Sequence, residues 1–146
     1  MQLSRKSTFI FSVAVAIVFL TVSCESKVSQ CSKIINVVNQ TGSENKTITD
    51  NGKKKEPEVI LKTAENMEKA ATQIEKLEIK DQKLKELQSS FVKLYKDTSK
   101  VSRDLVASLK KDDLENAESQ LKKSRKNLTK ENELISGITG YCKESK

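Results

Sequence analysis

The sequence predicts an all-α fold, an elongated antiparallel bundle of three to four helices built around one long central helix. Three observations carry that expectation. Four glycines and one proline in 146 residues leave little material for tight turns and disfavour a sheet-rich fold. Charged residues make up 32% of the chain against 36% hydrophobic, the balance of helices with much polar surface. Beyond residue 27, apolar residues recur at steps of three and four, which places them along one side of a helix. This length supports one domain with a modest core. There is no Trp, and Phe9, Phe11 and Phe19 precede the candidate helices, so that core must be largely aliphatic.

Residues 1–23 have the layout of a cleaved signal peptide. Arg5 and Lys6 form a positive start, and Phe9 to Leu20 is apolar apart from Ser12. As a helix that run is about 18 Å long, short for a bilayer core of roughly 30 Å. Thr21 and Ser23, small residues at the third and first positions before the cut, suit an ordinary signal peptidase. The stretch ends in Cys24 and so also resembles a bacterial lipobox, in which the cysteine becomes the lipidated first residue. Leu20 sits one position farther from the cysteine than the usual leucine of that motif. Lipidation of Cys24 is the expectation, with plain secretion and a retained anchor helix as alternatives.

Residues 24–39 predict a short first helix, because Val28, Cys31, Ile34, Ile35, Val37 and Val38 share one side. Residues 40–56 turn polar, with Gly42, Asn51, Gly52 and three lysines from Lys53, and predict a linker. Pro57 suits a helix start, where its missing N–H has no partner to lose. Residues 57–146 predict a long helical hairpin. Its first arm carries Ile60, Ala64, Met67, Ala71, Ile74, Leu77, Leu84, Leu87, Phe91, Leu94, Thr98, Val101 and Leu105. That seam is interrupted only at Ile79 to Gln82, where Asp81 could cap a fresh helix. One rod of about 80 Å is expected over a kink. Asp112 and Glu115 are spaced as a capping box, so the chain turns there. The second arm, to about Ser136, carries Leu114, Ala117, Leu121, Ser124, Leu128, Glu131, Ile135 and Ile138 at heptad spacing, before Gly137 and Gly140 weaken it.

Three cysteines are an odd number in an exported chain. A lipid on Cys24 would account for one, and Cys31 and Cys142 keep the phase of their helices' apolar faces and could bond. On the chain-entropy model a bridge closing so long a loop contributes about 4 to 5 kcal/mol. A hairpin turning at Asp112 would put Cys142 opposite roughly residue 80, with the first helix starting beside it.

Enzymatic chemistry finds little support. No His is present, which removes the commonest neutral-pH base, the commonest metal ligand and every Ser-His or Cys-His pairing. Isolated glycines make no phosphate loop. Glu58 with Lys62, Glu65 with Lys69 and Glu118 with Lys122 are spaced for surface ion pairing rather than acid and base work. No cofactor and no metal site is expected. The net charge of +7 becomes +5 once Arg5 and Lys6 are removed. Lys122, Lys126 and Lys130 form an i, i+4, i+8 line that could meet an anionic surface, against the plainer reading of a solvated face. Nucleic acid ranks lowest among partners, since stacking aromatics are scarce. The apolar group Phe91, Val92, Leu94 and Tyr95 reads as core before it reads as a ligand pocket, and Tyr141 with Cys142 as structure before redox chemistry. Triplets at Asn39, Asn45 and Asn127 match the N-glycosylation pattern, which the apparent lipobox makes irrelevant.

The run Glu25 to Cys31, the stretch with Lys83, Leu84, Phe91, Val92, Tyr95, Asp97 to Lys100 and Arg103 to Val106, and the closing Tyr141 and Cys142 resemble small exported helical proteins of cyanobacteria. The resemblance spans most of the mature chain except the polar stretch 40–56. It implies an envelope or luminal location and the pairing of Cys31 with Cys142, and it carries no activity. The expectation is a membrane-tethered, non-enzymatic lipoprotein on the periplasmic side. It would act as a scaffold or interaction module, with a protein partner or self-association through a helical face. The alternative is a soluble secreted protein that binds an anionic or apolar ligand.

Overall fold

Short polar residues set the starts of three helices. Ser26 accepts the Ser29 amide hydrogen at 3.1 Å, Asp81 that of Leu84 at 2.9 Å, and Asp113 that of Asn116 at 3.0 Å. Each fills a donor that the first turn leaves open. The computed structural model describes residues 25–144 and holds four helices: α1 (Lys27–Ile48), α2 (Pro57–Glu75), α3 (Gln82–Lys110) and α4 (Leu114–Lys143). No strand lies among the described residues. The helices run up, down, up and down, with α1 against α2 and α4, α3 against α2 and α4, and α1 diagonal to α3. The all-α bundle is as predicted; the signal segment 1–23 and Cys24 lie outside the described residues.

The expected rod is instead two helices folded back on each other. Residues 76–81 reverse the chain, and α2 and α3 then bury their apolar seams in one another, the most extensive pairing in the bundle. A straight rod would have left much of that seam in water. Two glutamines hold the reversal. Gln88 Nε2 donates to the carbonyls of Ile74 and Leu77 at 2.7 and 2.9 Å, capping the end of α2. From α1, Gln30 Oε1 accepts from the amides of Lys80 and Asp81. Ile79, inside the apparent gap, is buried.

Helix α1 is longer than its apolar pattern, so the expected linker shrinks to 49–56. Residues 40–48 stay helical because their polar side chains find partners on α2. Asn66 Nδ2 donates to Asn45 Oδ1 at 2.8 Å and to the Thr41 carbonyl at 3.4 Å, and Thr41 is buried. These bonds outweigh the cost of about 1 kcal/mol for Gly42 inside a helix. Three residues in the left-handed region, Asp50, Asn51 and Gly52, then turn the chain, a conformation that such residue types tolerate best.

The core is mostly aliphatic around two rings. Ile34, Ala64, Ala71, Ile74, Leu84 and Ile138 are essentially inaccessible, and the alanines of α2 allow close approach of α3. Phe91 and Tyr95, one turn apart on α3, meet edge to face with centroids 6.1 Å apart. Cys31 and Cys142 are bonded, with Cα atoms 6.1 Å apart across a sequence separation of 111. The bond joins the start of α1 to the end of α4. Helix α4 therefore runs past the expected stop near Ser136, because Ile138 and Tyr141 pack into the core beyond Gly137 and Gly140.

Candidate functional site

One end of the bundle gathers both boundaries of the described chain. Around the Cys31–Cys142 bond, Gln30 Nε2 donates to the Glu25 carbonyl at 2.9 Å, while its Oε1 accepts from Lys80 N–H at 2.6 Å and Asp81 N–H at 3.0 Å. The Lys33 ammonium meets Glu25 at 2.8 Å and holds that carboxyl below its usual range. Tyr141 donates its hydroxyl hydrogen to Asp81 at 3.0 Å, and the Lys27 ammonium lies 3.4 Å from the Tyr141 ring centroid. Asp81 is also held low, first by the Leu84 amide and then by Tyr141. Cys142 thus sits beside residues 80 and 81, as the hairpin register predicts. The pair ties the start of α1 to the end of α4.

Between α3 and α4 the seam is unusually polar. Asn116 Nδ2 donates to Ser108 Oγ at 2.8 Å, Asn127 Nδ2 to Thr98 Oγ1 at 3.2 Å, and Tyr95 Oη to Glu131 Oε1 at 2.9 Å. Burial raises the Glu131 carboxyl above its ordinary range, and the Tyr95 bond opposes this in part. Tyr95 itself is raised, first by burial and then by the Glu131 charge. Among the described residues, Ser99 Oγ and Gln120 Oε1 are buried without a hydrogen-bond partner. Paired polar groups spaced along a seam fix one register, since slipping by a turn would orphan all of them.

The line Lys122, Lys126 and Lys130 spreads over an arc of α4 rather than facing one groove. All three are exposed, but every step of four residues rotates about 40° around the helix. Lys122 swings out and pairs with Glu118 at 3.0 Å. Lys126 and Lys130 instead line a groove between α3 and α4 with Lys123, where Asp97 and Asp104 also sit. Lys100, in the same groove, is paired with Asp104 at 2.8 Å. The groove is of mixed charge. Phe91 and Tyr95 are fully buried and Leu94 nearly so, which makes these three core, while half-buried Val92 lines a groove of about 450 Å³ with Glu75, Gln88 and Lys96.

The missed surface is on α4. The heptad residues Leu114, Leu121, Leu128 and Ile135, expected in the core, are 73%, 45%, 60% and 37% exposed. Helix α4 is rotated so that Ala117, Gln120, Asn127 and Ile138 face inward. The leucines form an apolar track along its flank. Where α1 stops, that track borders a groove of about 390 Å³ lined by Val59 and Ile60 of α2, Leu105 and Leu109 of α3, and Leu121, with Lys54 and Lys55 at its rim. The heptad was legible in the sequence; its exposure needed the polar inner seam to be recognised.

Among the described residues no helix is long and apolar enough to cross a membrane, and no group of three or more His, Cys, Asp or Glu is placed to hold a metal ion. No family model, curated protein or solved structure matches the chain.

Proposed function

We propose that the chain is an exported lipoprotein, tethered to a membrane through Cys24, that serves as a non-enzymatic helical scaffold or interaction module. The observation that carries this reading is the Cys31–Cys142 bond. Bonded cysteine pairs persist in oxidising compartments, in keeping with the signal-like segment of residues 1–23. The bond consumes two of three cysteines and leaves Cys24 for lipid. It also supports a mechanical role. Cys31 is seven residues beyond Cys24, so a pull on the anchor enters the bundle through a cross-link to α4 and through Gln30, rather than by peeling α1 away. Helix α4, about 45 Å long, then projects the opposite end from the membrane.

A soluble binder of anionic ligands is the second reading, favoured by Lys123, Lys126 and Lys130 at one groove. The carboxylates of Asp97 and Asp104 in that groove weigh against it. Fractionation separates the two. The tethered protein stays with membranes through a high-salt wash and leaves them in detergent, and Cys24→Ala moves it to the soluble fraction. Release by salt alone would support the soluble binder and remove the tether.

A further inference from the structure

We propose that the groove beyond the end of α1 receives an amphipathic helix of another protein, carrying acidic residues beside its apolar face. Over its own length α1 packs against α2 and α4. It ends at Ile48, and its capping residue Thr49 forms one end of the groove. Beyond that point three helices still offer apolar side chains to the empty fourth position: Ile60 from α2, Leu105 and Leu109 from α3, and Leu121 from α4. A bundle lacking one wall over part of its length presents the shape that a single helix completes. The track beside it has the matching period. Leu114, Leu121 and Leu128 recur every seven residues, about 10.5 Å apart, the interval at which an adjacent helix presents its own apolar residues.

Charge selects the partner. Lys54 and Lys55 line the groove and no carboxylate does, so a helix with Glu or Asp flanking its apolar face gains on approach. A second copy of this chain fits poorly. A two-fold pairing groove to groove would bring Lys54 and Lys55 of both copies together, a like-charge contact that opposes association and leaves both concavities unfilled. The anchoring membrane fits poorly too, an argument that rests on the tethered reading. Leu121 lies 21 positions from Cys142 along α4, roughly 30 Å, and so is held away from the lipid.

The test places a photo-crosslinking phenylalanine analogue at position 121 of the full chain, expressed in its own cells, and sequences the crosslinked peptide by mass spectrometry. The expected product joins position 121 to a segment of a different protein with apolar residues at i, i+3 or i+4, and i+7, and acidic neighbours. Lys54→Glu with Lys55→Glu, at exposed positions, should cut its yield about fivefold to tenfold with an unchanged melting curve. A crosslink to lipid, to a second copy or to nothing overturns the proposal, as does a yield indifferent to the charge reversal. Lipid on Cys24 is read separately from the protein's mass. A lipidated chain without the crosslink sinks this inference alone, and an unlipidated chain with it removes the tether and keeps the groove.

Discussion

Gln30 of α1 accepts the backbone amide hydrogen of Lys80 at 2.6 Å and that of Asp81 at 3.0 Å, so one buried side chain holds the reversal between α2 and α3. Backbone amides at such a turn have no helical partner of their own. Gln30→Ala should orphan both and destabilise the protein by about 1 to 3 kcal/mol, read from the urea midpoint. An unchanged midpoint would mean that water replaces the side chain and that the turn stands without α1.

The Cys31–Cys142 bond sits one residue away and closes nearly the whole described chain. Replacing both cysteines by serine should cost about 2 to 5 kcal/mol. Reduction should lower wild-type stability to the level of the double variant and leave the variant unaffected. Equal stability of the two oxidised proteins would remove the strut from the account.

Glu131 gives a pH signature. Its carboxyl, raised by burial, takes up a proton more readily in the folded chain than in the unfolded one. Between the unfolded pKa of about 4.3 and the higher folded value, the native state binds more protons, so this group's contribution to stability falls as pH rises through that window. Glu131→Gln keeps an acceptor for Tyr95 and removes the charge. The variant should match wild type near pH 4, gain on it through that window and hold a constant advantage above it, in paired denaturation curves. A gain constant with pH would show that the carboxylate is not buried against Tyr95.

Side chains on the two faces of the hairpin should respond in opposite ways. Phe91, fully buried on α3, should cost about 3 to 5 kcal/mol as Phe91→Ala. Leu114→Ser and Leu128→Ser, at exposed positions, should stay within about 0.5 kcal/mol of wild type. If the leucine changes proved as costly as Phe91→Ala, α4 would have to be turned to bury its heptad.

That contrast marks what could be read from the sequence. The fold class followed from composition and spacing, and Pro57 stood out as a helix start, whereas Asp81 marked a possible cap within an expected rod. The register of Cys142 against residue 80 followed from the turn at Asp112 and Asp113. Reading failed where polar residues do the work of apolar ones. Asn45 and Thr41 carry α1 past its apolar pattern through Asn66, and Asn116 and Asn127 line the α4 side of a seam that periodicity assigned to leucines. Hydrophobic spacing cannot register a side chain whose partner is 20 or 30 residues away. The lysine line divides for a simpler reason: four-residue steps wind around the helix, and only Lys126 and Lys130 of the original three face the α3–α4 groove.

The central claim is a cysteine division of labour, with Cys24 as tether and Cys31 with Cys142 as strut. Intact mass of the protein purified from its own membranes, before and after reduction and alkylation, tests it most directly. The account predicts a chain beginning at Cys24 with a diacyl or triacyl addition, and two further thiols that alkylate only after reduction. An unlipidated chain beginning at Cys24 or Glu25 would contradict it and leave a soluble binding protein as the better reading.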